Sequence, residues 1–231
     1  MCPDQWAGGK IPSAIADLIR RSAVVLWDFD GVVANTEPIQ GFSFDVILRS
    51  KGKQPDSDFF QDYIGMPERD IWRALCKTFA LDDSIDDLAA ERSVAYLTFA
   101  ESCLRPAPYV RPISAAAAEH EIPNVIVSSG SYRNINHLLH HWHIEDAFSG
   151  VLCNGSPESE GLTDKRQRLE SALARHSGPA LLIEDSATYI DWAGRRGLRT
   201  IGVRHELNDL SNVIPDVVLT LDKIELPDRG I

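Results

Sequence analysis

A doubly wound α/β fold built on a mostly parallel sheet is predicted from three features of the sequence. Short apolar runs recur along the chain. Helix-like stretches lie between the later runs. Three of the runs stop abruptly at small polar or acidic residues. The runs are VVLW (24–27), NVIV (124–127), ALLI (180–183), RTIGV (199–203) and DVVLT (216–220), and the first three end in DFDG, SSGS and EDS.

Taken in order, VVLW carries no polar position on either side, the pattern of a strand covered on both faces. The interval that follows is of another kind. DIWRALCKTFA (70–80) and DDLAAERSVAYLTFAESCL (86–104) read as helices, no buried strand stands out, and the prolines of RPAPYVRP (105–112) end the helical pattern. An α-helical insertion over 36–110 is expected, leaving 1–35 and 111–231 as a discontinuous α/β core. Beyond NVIV, the segment NGSPESEGLTD (154–164) reads as an exposed loop. KRQRLESALARH (165–176) and SATYIDWAGRRG (186–197) then supply the helices between the later strands. In such a sheet ligands bind beyond the carboxyl ends of the strands, so the polar strand ends are expected to converge on one crevice.

Composition narrows the function. A formal net charge of −11 offers no basic surplus to neutralise phosphates, which argues against nucleic acid and anionic membranes as partners. A small anionic substrate would need local cations or a metal. Cys2, Cys76, Cys103 and Cys153 lie far apart without a C-x-x-C pair, as reduced thiols of a cytosolic protein do. MCPDQWAGGKIPSAIADLIRR lacks the pattern of a secretory signal, and no apolar run approaches a bilayer span. A cytoplasmic protein, monomeric or weakly dimeric, is expected.

The acidic strand ends suit phosphoryl transfer. A phosphate monoester dianion repels an anionic nucleophile, so attack by a carboxylate requires charge neutralisation. Mg²⁺ takes oxygen ligands, and Asp28 and Asp185, on different strands, can hold it. Lys165 can neutralise a second phosphate oxygen and Ser128 can bond a third. Asp30, two residues beyond Asp28, can protonate the leaving oxygen and then activate water. Plainer readings stand beside these. Ser128, Ser129 or Ser131 can cap a helix beginning near Tyr132. Lys165, next to Arg166 and Arg168, also fits a solvated helix face. His137 and His141 are spaced one helical turn apart but lack an acidic co-ligand, and are read as structural or surface residues.

WDFDGVVANTE (27–37), VIVSSGS (125–131), Lys165 in TDKRQRL and LLIEDSATYIDWAGRRGLRTIGV (181–203) occur in an order that resembles the haloacid dehalogenase-like superfamily. The resemblance is to its phosphatases and phosphomutases with a helical cap after the first motif. It implies a Rossmann-like core and a hydrolase acting on a small phosphorylated metabolite through an aspartyl phosphate. It further implies Asp28 as nucleophile, Asp30 as general acid/base, and Ser128, Ser129 and Lys165 at the phosphate. Asp28, Asp30 through its backbone carbonyl, Glu184 and Asp185 would hold Mg²⁺.

Two other functions compete. A phospho-acceptor signalling domain uses similar groups, but its acidic pair precedes the phosphorylated Asp, whereas Glu184–Asp185 follows Asp28. A sugar phosphomutase similar to β-phosphoglucomutase usually carries His where this chain has Gln40. Its cap would need cations such as Arg69 or Arg73 for a second phosphate. Hydrolysis is therefore the expected reaction. Tyr109 and Tyr189 stand where the family often has glycine.

Overall fold

The computed structural model describes Trp6, residues 11–64, residues 66–224 and Leu226. The described residues fall into two compact units. One runs up to Asn35 and resumes over Arg105–Lys223, and the other covers Thr36–Leu104 together with Ile224 and Leu226. The helical stretch of the second unit stops at Leu104, and residues 105–110 group with the first unit. The reason is local: Ala107 N–H donates to Val33 O at 2.8 Å, and the Tyr109 hydroxyl donates to Val32 O at 2.6 Å. These bonds tie the proline-bearing segment to the first unit.

The first unit is a parallel sheet with helices on its faces. Its strands are β1 (Val24–Trp27), β2 (Asn124–Ser131), β3 (Gly150–Asn154), β4 (Ala180–Glu184), β5 (Arg199–Arg204) and β6 (Val217–Thr220). They lie in the order β3-β2-β1-β4-β5-β6, every neighbouring pair parallel. All four residues of β1 are buried, as are all five of β4, which is why both read as unbroken apolar runs.

The helices of this unit are α1 (Ser13–Arg20), α5 (Val110–Ala118), α6 (Tyr132–His141), α7 (Lys165–Arg175) and α8 (Ala187–Arg195). Leu169 and Ala172 of α7 and Trp192 and Ala193 of α8 pack with Val24, Leu26, Val125, Val127 and Leu182 on one face. Alternation turns Trp27 to the other face, where its indole N–H donates to Asn124 Oδ1, and Asn124 Nδ2 in turn donates to Ser114 O of α5.

The second unit contains α2 (Glu37–Ser50), α3 (Glu68–Phe79) and α4 (Ile85–Cys103). Phe44, Leu48, Ile71, Trp72, Leu75 and Leu88 form its core. Arg92 is buried inside it, 4.1 Å over the Phe44 ring, paired with Glu68 at 2.9 Å and bonded to Ser43 and Gln40. Arg69 and Arg73 are exposed and pair with Asp86 and Asp70.

Two features depart from the sequence expectation. Strand β3, GVLCN, is absent from the predicted runs because its apolar stretch is short and only Leu152 and Cys153 are fully buried. The 154–164 segment is not uniformly exposed. Ser156 and Ser159 are buried, bonded to each other at 2.9 Å, and Ser156 Oγ accepts the Cys153 N–H. Cys76, Cys103 and Cys153 are free thiols. Among the described residues no helix is long and apolar enough to cross a membrane.

Tyr109 is buried beside Trp6, and burial, with Asp185 adding, pushes its phenol well above the usual range. Its hydroxyl is therefore a permanent donor to Val32 O. Tyr109→Phe leaves that carbonyl without its side-chain partner and should cost about 1–3 kcal/mol of unfolding free energy, measurable by urea denaturation.

Candidate active site

The register of the sheet brings the polar strand ends together. Trp27 pairs with Ile126 on β2 and with Ile183 on β4. One step further, Asp28 leaves β1 beside Glu184, and its N–H donates to Ile183 O at 2.9 Å. Strand order reverses between β1 and β4, the switch point at which open α/β sheets bind ligands.

Asp28 is buried, and its Oδ1 accepts the Phe29 N–H at 2.7 Å. Its Oδ2 lies 2.5 Å from Lys165 Nζ, which also meets Glu184 Oε2 at 2.7 Å. Lys165 is the first residue of α7, whose N-cap is Asp164, bonded to the Gln167 N–H. The lysine therefore turns inward, 3% exposed at its side chain, instead of lying on a solvated face. Arg166 is exposed, whereas Arg168 is buried and donates to Ser128 O, Asn154 Oδ1 and Leu162 O. The three neighbouring cations thus lie in different surroundings.

Tyr189 places its ring 4.6 Å from Lys165 Nζ. The tyrosine that departs from the family's glycine thus covers the ammonium. Glu184 has both oxygens engaged, Oε2 by Lys165 and Oε1 by the Ser186 N–H at 3.0 Å.

Asp30 sits in the turn after β1, where Gly31 N–H donates to Ala34 O. Ser128 Oγ makes a long 3.5 Å contact to Asp30 Oδ2 and accepts the Gly130 N–H at 2.9 Å. Ser128 thus does not cap α6, whose N-cap is Ser131. Ser129 is exposed and presents its carbonyl to Asn154. Glycine is required at position 31 for two reasons. Its φ is +70°, and a Cβ there would stand 2.3 Å from Asp185 Oδ2.

His205, Asn208 and the ring of Tyr189 were not singled out as site groups by sequence reasoning. His205 Nε2 lies 2.9 Å from Asp185 Oδ2, and Asn208 Nδ2 donates to Asp185 O at 2.9 Å. One signal could have found the histidine: it follows the RTIGV strand by two residues, as the other site groups follow theirs. His137 and His141 are exposed on α6 and take no part.

The chain matches the family model described as "Haloacid dehalogenase-like hydrolase" over residues 25–203. It belongs to the haloacid dehalogenase-like hydrolases. Within that family, it is 25% identical over 191 residues to a phosphorylated carbohydrates phosphatase of Thermotoga maritima, covering 80% of this chain and 87% of that protein. Two solved structures share the haloacid dehalogenase-like fold. CbbY from Rhodobacter sphaeroides in complex with phosphate is 17% identical, with a TM-score of 0.67 over 86% of this chain and 93% of that one. A predicted phosphoglycolate phosphatase from Haemophilus somnus is 16% identical, with a TM-score of 0.65 over 86% and 94%.

Asp28, Glu184 and Asp185 each offer one oxygen within 4.8 Å of the others, a donor set that fits a hard divalent cation. Charge points the same way. Burial raises the Asp28 carboxyl well above the usual range and Glu184 adds to it, with Lys165 acting in the opposite sense. Burial likewise raises Glu184. For Lys165, burial opposes the charge, yet Asp28 and Glu184 outweigh it and hold the ammonium protonated. The carboxylates therefore exceed what one ammonium offsets.

This arrangement fixes a pH dependence. Asp28 and Glu184 bind protons more tightly folded than unfolded. The stability that this gives is full below about pH 4, the ordinary carboxyl range, and is lost as pH rises through the raised folded values. A divalent cation competes with those protons and should bind better as pH rises. Adding Mg²⁺ should therefore raise the melting temperature little at pH 5 and by roughly 5–10 °C at pH 8 and saturation, followed by calorimetry. An equal shift at both pH values would contradict the assignment.

Proposed function

We propose that this hydrolase is a Mg²⁺-dependent phosphatase for a small phosphorylated carbohydrate, acting through an aspartyl phosphate at Asp28. The observation that carries the reading is the 2.5 Å approach of Lys165 Nζ to Asp28 Oδ2 beside Asp30 and Ser128. The substrate class rests on the likeness to the phosphorylated carbohydrates phosphatase.

In this mechanism a carboxylate oxygen of Asp28 attacks phosphorus and the bond to the leaving oxygen breaks. Asp30 gives that oxygen its proton. Water then attacks the acyl phosphate while Asp30 takes the proton back, releasing inorganic phosphate and restoring the Asp28 carboxylate. Lys165 neutralises phosphate oxygens and favours the ionised form of Asp28 against the effect of burial, and Ser128 bonds a further oxygen, with the exposed Ser129 next to it. Held by Asp28, Asp185, the Asp30 carbonyl and Glu184, Mg²⁺ would supply the charge that lets two anions meet.

Gln40 favours hydrolysis over the mutase reaction. It stands where the resembling mutases carry histidine, and its Oε1 is engaged by Arg92 Nη2 within the helical unit. With a hexose 1-phosphate, Mg²⁺ and a trace of bisphosphate, phosphate release should exceed isomerisation. Rapid isomerisation without phosphate release would reverse the preference.

Asp28→Asn should abolish phosphate release from a folded protein. Asp30→Asn should slow alkyl phosphate turnover about 10²–10⁴-fold, the range for lost acid–base help. With an aryl phosphate, whose phenol leaves without a proton, the same variant should give a phenolate burst and then slow turnover in rapid-quench kinetics. Equal slowing of both substrates with no burst would assign Asp30 another role.

A further inference from the structure

The acid of the cluster that differs most in its surroundings is Asp185. Asp28 and Glu184 face Lys165, whereas Asp185 faces a histidine. The His205 side chain is 2% exposed and Nε2 lies 2.9 Å from Asp185 Oδ2. Its other ring nitrogen settles the tautomer: Nδ1 accepts the Leu207 N–H at 3.3 Å, so the proton sits on Nε2. A nitrogen carrying a proton donates and is no metal ligand. His205 is fixed in its turn, because its own N–H donates to Asn208 Oδ1 at 3.0 Å. Asn208 Nδ2 then donates to both Asp185 O and Val203 O, at 2.9 and 2.8 Å. The β4 end is thereby strapped to the β5 end. On the opposite side Gly31 leaves no slack, since a Cβ would come within 3.0 Å of His205 Nε2 as well as striking the carboxylate.

We propose that His205 is a positioning residue for the divalent-cation site. Its Nε2–H fixes the rotation of the Asp185 carboxylate, and Asn208 pins the main chain beneath it. The inference rests on the reading of Asp185 as a cation ligand. A carboxylate attached to a strand end by a single side-chain torsion pair would otherwise have to be ordered by the cation itself, which weakens binding. Neither His205 nor Asn208 touches substrate or cation in this arrangement.

Calorimetric titration of Mg²⁺ into the protein tests it without reference to turnover. His205→Leu removes the donor while keeping an apolar side chain of similar bulk, and should weaken Mg²⁺ binding about 10–100-fold, the usual effect of losing a group that orients a ligand. His205→Gln can place an amide N–H near the position of Nε2 and should recover most of the affinity. Binding by folded His205→Leu as tight as wild type would overturn the inference, as would a folded Gln variant as weak as Leu. Should the Leu variant lose its far-UV circular dichroism, Gln is compared with His205→Asn, whose shorter amide cannot reach Asp185. Gln must then bind several-fold tighter, and equal affinities would overturn the proposal. A wild-type protein with no saturable Mg²⁺ binding would instead remove the cation reading itself.

Discussion

A buried ammonium needs carboxylates around it, and Lys165 has Asp28 and Glu184 at 2.5 and 2.7 Å from its Nζ. Removing such charges from water costs several kcal/mol per ion, and only close, well-directed partners offset that cost. The rest of the site follows from this trio. Lys165 must open α7 at the level of the β1 and β4 ends, which the Asp164 cap ensures. Tyr189, from α8, covers its remaining side. Replacing the lysine would leave two buried acids uncompensated, so the charge balance of the cluster rests on one residue.

The parallel register makes the cluster possible. Because Trp27 stands level with Ile126 and Ile183, the three central strands release their polar ends along one edge of the sheet. Asp28 and Glu184 emerge side by side. Asp185, one residue further, turns away toward Gly31 and His205. A one-residue shift of β4 would exchange the positions of its two acids. The sheet therefore sets the position of each acid, and the backbone turn after β1 carries Asp30 across to Ser128.

Most of this was legible in the sequence because buried parallel strands write themselves as unbroken apolar runs. VVLW and ALLI are buried at every position and were read directly. GVLCN was not, since only Leu152 and Cys153 of it are fully buried and the apolar run between Gly150 and Asn154 is three residues long. Asp28, Asp185 and Lys165 could be picked out as strand-end acids and a helix-opening cation. Whether Lys165 pointed inward was open in the sequence, where Arg166 and Arg168 look equivalent to it. The 3.6-residue turn of α7 resolves them: positions 165 and 168 face the sheet and 166 faces water. His205 and Asn208 escaped because their role is a chain of hydrogen bonds between two strand ends, which leaves no periodic mark in the sequence. Ser156 and Ser159 were missed for a related reason: polar loop residues that satisfy one another can be buried.

The central claim is that Asp28 becomes covalently phosphorylated. Quenching the enzyme during turnover, reducing the acyl phosphate with borohydride and mapping peptides by mass spectrometry tests this directly. The account predicts homoserine in place of Asp28 in the peptide containing DFDG, formed only when substrate and Mg²⁺ are both present. Conversion at Asp30 or Asp185, or turnover with no aspartate reduced, would contradict it.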